Sequence, residues 1–260
     1  MITFQKYVKA ETLEEAYTLN QNKKNKIVGG MLWLRLEKSN YNTIIDISEL
    51  GLNTIEENDS EFKIGAMVTL RELELHQGLN EYSNNSICVA LKDIIGVQFR
   101  NLATVGGSIW SRFGFSDVLT VLLAFDSYVE LYKGGIVSLE DFSKMNYDND
   151  ILLNIIIKKK NCKCVYESVR IQRTDFPVLT CASSLIDDQL RVVVGARPGK
   201  AILYLNDSNI LKNENDSISK YADELSEKVP TSSNNRGSAE YRKKLVNVLT
   251  KRCLLQLGEL

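Results

Sequence analysis

Phe99-Arg100-Asn101-Leu102-Ala103-Thr104-Val105-Gly106-Gly107-Ser108-Ile109 is the stretch of this 260-residue chain richest in residues able to do chemistry together. Two adjacent glycines let the backbone turn tightly and bring N–H groups to bear on one spot, a nest that suits a phosphate or pyrophosphate. A plain glycine turn between two elements also accounts for such a pair. A second pair, Gly29-Gly30, follows the apolar Ile27-Val28 and offers the same two readings. Neither pair fits the G-x-G-x-x-G fingerprint or a Walker A loop, so both of those folds are disfavoured. His76 is the only histidine and is expected at the surface of a polar helix, which excludes most Ser-His and Cys-His nucleophile schemes. Cys162-x-Cys164 supplies too few ligands for a zinc or iron–sulfur centre.

Composition narrows the class. Hydrophobic residues are 44% and charged residues 25%, as in a soluble globular protein, and the length suits one large or two small domains. A net charge of −1 gives no global field to gather nucleic acid, and Lys158-Lys159-Lys160 is read as a solvated turn. Five scattered cysteines, an odd number, together with no signal peptide, fit a reducing cytoplasm. No apolar run reaches membrane-spanning length.

The elements that must position the glycine loops are read from periodicity and caps. Thr12-x-x-Glu15 and Thr69-x-x-Glu72 are capping boxes opening helices. Ile27-Val28, Thr43–Ile47, Phe62–Ala66, Ser127–Tyr132 and Ile151–Ile157 are predicted strands, with a hairpin turn at Gly134-Gly135. Ser86–Ile95 is a predicted helix ending at Gly96 as C-cap. Asp117 stands before Val118–Ala124 as a candidate N-cap. Phe113 and Phe115 lie in the loop before it, placed to shield a ligand ring or to pack on the core. Lys158–Cys164 is the predicted boundary. Beyond it come strands at Tyr166–Arg173, Phe176–Leu185 and Arg191–Ala196, with a turn at Asp187-Asp188-Gln189. A last helix, Ala239–Leu257, carries Tyr241, Leu245, Val248 or Leu249, and Cys253 on one side. Strands followed by helices give an α+β order.

Arg100-Asn101-x-Ala103-Thr104-Val105-Gly106-Gly107-Ser108 closely resembles the Arg-Asn-x-Ala-Thr-Ile-Gly-Gly-Asn signature of the FAD-binding subunit of molybdenum hydroxylases, the xanthine dehydrogenase and CO dehydrogenase flavoproteins. Val28-Gly29-Gly30-Met31-Leu32-Trp33 is similar to that family's Ala-Gly-Gly-Thr-Asp-Leu loop, with Met31 and Leu32 replacing two small polar residues. Arg173-x-Asp175-Phe176-Pro177-Val178 is similarly placed to the family's Arg-x-x-Asp-Phe-Ala-Val, and Arg236-Gly237-Ser238-x-x-Tyr241-Arg242 resembles the Arg-Gly-Ser-x-x-Tyr-Arg that opens its final helix. The resemblance implies a two-lobed FAD-binding domain of the vanillyl-alcohol oxidase/PCMH-like type over residues 1–160, with lobes of about 1–55 and 56–160. A C-terminal domain over 161–260, with a three-stranded antiparallel sheet and helices, follows. It also implies FAD contacts from Val28, Gly29, Gly30, Met31, Leu32, Trp33, Asn101, Ala103, Thr104, Gly106, Gly107, Ser108 and Asp117. For Asp117, capping and an FAD contact are compatible. The flavin would carry the redox chemistry, which fits a chain where no acid–base pair stands out. Implied partners are a molybdopterin-binding large subunit and a [2Fe-2S] small subunit, with electrons leaving to NAD+ or another acceptor. A flavin-free scaffold subunit and a free-standing flavin oxidoreductase of the vanillyl-alcohol oxidase type are the alternatives.

Overall fold

The computed structural model describes residues 1–212 and 214–260. Its chain builds three sheets in succession. The first unit holds β1 (Thr3–Lys9), α1 (Leu13–Asn20), β2 (Asn25–Val28) and β3 (Asn40–Asp46). Its strands are all parallel in the order β1-β3-β2, so β3 is central and its Ile44 and Ile45 are fully buried. β1 escapes the sequence reading because it is an edge strand with almost every residue exposed, leaving no apolar alternation to detect. At α1 the Thr12 hydroxyl accepts from the Glu15 N–H as expected, but the Glu15 carboxylate turns to the Glu11 N–H.

The second unit runs β4 (Ile55–Glu57), β5 (Glu61–Gly65), α2 (Leu70–Leu75), α3 (Gln77–Tyr82), α4 (Ser86–Leu91), α5 (Val97–Arg100), α6 (Val105–Ser111), α7 (Asp117–Leu123), β6 (Ser127–Leu131), β7 (Gly135–Ser138), α8 (Leu139–Lys144) and β8 (Leu152–Lys158). Its sheet is antiparallel in the order β4-β5-β8-β6-β7. The capping box at Thr69 and Glu72 is complete. His76 is half-buried and caps α3, its Nδ1 accepting the Leu79 N–H at 3.2 Å, so its lone pair is committed to the backbone. The predicted helix from Ser86 stops at Leu91, and the left-handed turn expected of Gly96 falls on Ile95 at φ 52°. Gly96 is the extended N-cap of α5 instead.

The third unit contains β9 (Cys162–Arg170), β10 (Pro177–Ile186), β11 (Gln189–Gly195), β12 (Ile202–Asp207), α9 (Asn209–Lys212), α10 (Glu214–Lys228) and α11 (Ala239–Glu259). The sheet has four antiparallel strands, β12-β11-β10-β9, one more than expected. The extra strand, β12, lies at an edge with none of its residues fully buried, which weakens its apolar signal. One face of this sheet packs on α7 and the other on α10 and α11. That sandwiching explains why every residue of α7 is buried rather than one stripe of it. No helix among the described residues is long and apolar enough to cross a membrane.

Candidate functional site

A cleft of about 630 Å³ opens where the three units meet. That is the size class of sites that enclose a whole small ligand, roughly 300–1,000 Å³. Its walls are the loop after β2, the start of α6, the start of α7 and the segment after β9. It gathers Val28 through Trp33, then Ala103, Thr104, Gly106, Gly107 and Ser108, and then Asp117. Asn101 is the one expected site residue the structure sets apart. It is exposed, closes α5 as its C-cap, and lies outside the cleft lining.

The two glycine loops divide the work differently from the sequence expectation of two nests. At α6 the N–H groups are already used. Val105 donates to Val68 O and Gly106 to Ala66 O, both at 2.8 Å, while Gly107 donates to the Thr104 hydroxyl and Ser108 to Thr104 O, both at 3.1 Å. The N-terminus of α6 is therefore satisfied by the fold itself. The loop after β2 is the reverse. The backbone N–H groups of Gly29, Gly30, Met31, Leu32 and Trp33 have no acceptor among the described residues, and all five residues line the cleft. Met31 sits at φ 57°, a left-handed position that curls the loop and costs a non-glycine residue about 1–2 kcal/mol. Its side chain packs with Val28, Ile2 and Ile44, and that of Leu32 joins the main core. The two apolar replacements thus pack on the apolar clusters beside a loop whose N–H groups have no acceptor among the described residues. Lys23 and Lys26 line the same cleft, beside Glu37, Asp148 and Asp150, and neither lysine forms an ion pair among the described residues.

Glycine spacing fixes the contact between the loops. A Cβ on Gly30 would lie 1.8 Å from Leu102 O, one on Gly29 2.6 Å from the Thr104 hydroxyl, and one on Gly106 2.6 Å from Ala66. These three are required by packing within the protein. A Cβ on Gly107 would meet only the Thr104 hydroxyl, at 3.0 Å. Gly107 is the glycine whose free side belongs to the cleft.

Aromatic rings crowd one part of the wall. Trp33 is surrounded by Phe99, Phe113, Phe115 and Phe176 at centroid distances of 5.7, 6.4, 5.7 and 5.3 Å. Phe113 and Phe115 stack on each other at 5.0 Å, so they both pack together and line the cavity. Tyr147 also lines it. Its hydroxyl donates to Ser111 O at 2.6 Å, and its ring lies 4.3 Å from the buried Arg112 guanidinium. Burial pushes the Arg112 pKa down.

Asp117 is not the N-cap of α7. Ser116 is, its hydroxyl accepting the Leu119 N–H at 3.0 Å, and Asp117 is the first helical residue. Both types cap well, so sequence alone has no ground to choose between neighbours. The Asp117 carboxylate is buried at the cleft wall. Its Oδ1 accepts from the Tyr166 hydroxyl and from Arg170 Nη2, the latter at 2.5 Å. Burial pushes its pKa up, and the Arg170 guanidinium opposes that push. Tyr166, Arg170 and Tyr147 went unassigned in the sequence because their importance rests on contacts across units, which no local spacing records.

Residues 2–159 match the family described as the FAD binding domain in molybdopterin dehydrogenase, and residues 165–257 match the CO dehydrogenase flavoprotein C-terminal domain. The chain is 25% identical to the glyceraldehyde dehydrogenase medium chain of Sulfolobus acidocaldarius over 278 residues, covering 97% of this chain and 98% of that one. It is 29% identical to the xanthine dehydrogenase FAD-binding subunit of Escherichia coli O157:H7 over 142 residues, 51% of this chain and 48% of that one. In fold it is similar to a solved chain of carbon monoxide dehydrogenase from Hydrogenophaga pseudoflava, with a TM-score of 0.82 at 19% identity, covering 96% and 95% of the two chains.

Proposed function

Because the chain belongs to the family of FAD-binding subunits of molybdopterin dehydrogenases, with FAD as its cofactor, we propose that it passes electrons from iron–sulfur clusters through FAD to NAD+ or another acceptor. The observation that carries this reading is the row of five N–H groups at residues 29–33 with no acceptor among the described residues, in a loop that lines a cleft both glycine loops share. When bound, FAD supplies the electron-transfer chemistry; the protein binds, orients and tunes it. The amides of residues 29–33, with Lys23 and Lys26 nearby, would hold the diphosphate. Gly107 leaves room for close approach, Asp117 offers a carboxylate oxygen, and the Trp33 cluster keeps water from that part of the wall. We place the FAD-binding domain at residues 1–160 and the C-terminal domain at 161–260. We also place the protein in the cytoplasm, where its five free cysteines stay reduced.

A flavin-free scaffold is the weaker reading. It rests on Met31 and Leu32 in place of a polar pair and on Ser108 in place of Asn; Met31 and Leu32 pack on apolar clusters, and the backbone donors of their loop do not depend on side chains. Gly107→Val checks the point. It should leave a folded protein, since the new Cβ meets only one hydroxyl, yet fill the approach to the cofactor. Purified wild type should show the visible bands of oxidised flavin and the variant should lack them. Unchanged FAD occupancy in folded Gly107→Val would remove that loop from the site.

The heteromer is tested separately. The protein should co-purify from its native host with a large molybdopterin-binding chain and a small [2Fe-2S] chain. Recovery of this chain alone, with full NADH-linked activity on an organic substrate, would contradict that assembly.

A further inference from the structure

The geometry points to Tyr166 and Arg170 of β9 as positioning residues for FAD capture, acting through Asp117; we propose that they fix the carboxylate that faces the cofactor. This rests on the reading above that Asp117 offers an oxygen to FAD. Asp117 belongs to α7, whereas both of its donors come from the C-terminal sheet. The Tyr166 hydroxyl and Arg170 Nη2 converge on the same oxygen, Oδ1, and no side-chain donor among the described residues takes Oδ2. Two donors on one oxygen fix the carboxylate plane and leave the second oxygen for the cleft that Asp117 lines.

The clamp is itself anchored. The Arg170 side chain is only 7% exposed, and its Nη1 donates to Asp175 O at 2.5 Å. The Asp175 carboxylate in turn accepts the Phe176 N–H at 2.7 Å and Arg236 Nη2 at 3.3 Å. Tyr166 is 4% exposed, which shields its hydroxyl from bulk solvent. A carboxylate held this way loses little freedom when a ligand donor arrives, whereas a loose one would have to be ordered at binding. Because carboxylate and clamp come from different units, FAD binding and the docking of the C-terminal sheet on α7 share one contact. Strengthening either strengthens the other.

The test is a fluorescence titration of FAD into apoprotein, beside apoprotein melting, for wild type, Tyr166→Phe, Arg170→Met, Arg170→Lys and Asp117→Asn. Tyr166→Phe keeps the ring and removes one hydroxyl. It should raise the FAD Kd about tenfold, the scale of one hydrogen bond to a charged group, while apoprotein melting shifts by only a few degrees. Arg170→Met should weaken FAD binding further, and Arg170→Lys should recover part of the loss by restoring a cation. If Asp117→Asn binds FAD weakly but Tyr166→Phe and Arg170→Met bind as wild type does, Asp117 remains a contact and the positioning role is overturned. If all variants bind as wild type does, the Asp117 contact fails too. A rise in Kd that merely tracks collapse of apoprotein melting marks Tyr166 and Arg170 as scaffold and also overturns the proposal.

Discussion

A Gly30→Ala protein is expected to come out of purification without flavin and to melt about 6–12 °C below wild type. The Cβ of alanine would stand 1.8 Å from Leu102 O, 2.6 Å from Leu102 C and 3.3 Å from Ala103 Cα. All three neighbours are backbone, so no side chain can swing aside. The loop after β2 must move more than an ångström off the Leu102–Thr104 strand of backbone that supports it. Forced overpacking of this kind costs about 3 kcal/mol, and each kcal/mol is worth roughly 2–4 °C in a chain of this size. The same displacement carries the five free N–H groups of residues 29–33 away from Gly107 and Ser108 across the cleft. Gly258→Ala serves as the control, because a Cβ there meets nothing within 4 Å and the residue lies in α11, where alanine favours the helix. Differential scanning calorimetry and the 450 nm region of the absorption spectrum read both effects. Wild-type melting and full flavin in Gly30→Ala would mean the two glycine loops do not bear on each other.

That contact shows where sequence reasoning reaches and where it stops. Gly29-Gly30 and Gly106-Gly107 stood out because adjacent glycines mark tight turns, and both do border the cleft. Which loop keeps its amides free was not legible. The answer depends on the carbonyls of Ala66 and Val68, which reach the start of α6 from a distant strand end and take two of its donors. Thr69 and Glu72 form their predicted box because every partner lies within one turn. The cap of α7 slipped by one residue because Ser116 and Asp117 are equally good caps, and only the buried Tyr166 and Arg170 draw Asp117 aside. Local chemistry was readable at its own range; the clamp on Asp117, the ring of aromatics around Trp33 and the Arg112–Tyr147 stack each join segments far apart in the chain.

The final helix shows the same limit and yields the other large effect. Of its expected stripe of Tyr241, Leu245, Val248 or Leu249, and Cys253, the residues Leu245, Leu249 and Cys253 are buried, whereas Tyr241 and Val248 are 45% and 40% exposed. The buried face runs through Arg242, Leu245, Val246, Leu249, Thr250, Cys253, Leu254 and Leu257. Arg242 is fully buried, and its guanidinium donates to four acceptors: Val178 O at 2.9 Å, Ser232 O at 2.7 Å, Gly237 O at 2.5 Å and Asn234 Oδ1 at 2.5 Å. One planar fork thus ties β10, the 232–237 turn and α11 together, which a lysine's single ammonium cannot reproduce. Burial and the nearby Arg236 both push the Arg242 pKa down. Arg242→Met should remove all four bonds; Gly237 O and Asn234 Oδ1 keep backbone donors, but Val178 O and Ser232 O lose the guanidinium, at about 1–3 kcal/mol each. A total of about 5 kcal/mol would consume much of the roughly 5–15 kcal/mol that holds a typical domain folded. The variant should therefore express poorly or lose near-ultraviolet dichroism, with Arg242→Lys intermediate. Tyr241→Ala, two-fifths or more exposed in the same motif, should melt within a few degrees of wild type. If Arg242→Met also melts there, the guanidinium is not what joins the turn to the sheet, and the Arg-Gly-Ser-x-x-Tyr-Arg motif must owe its arrangement to the Ser238 cap, whose hydroxyl accepts the Tyr241 N–H at 3.1 Å.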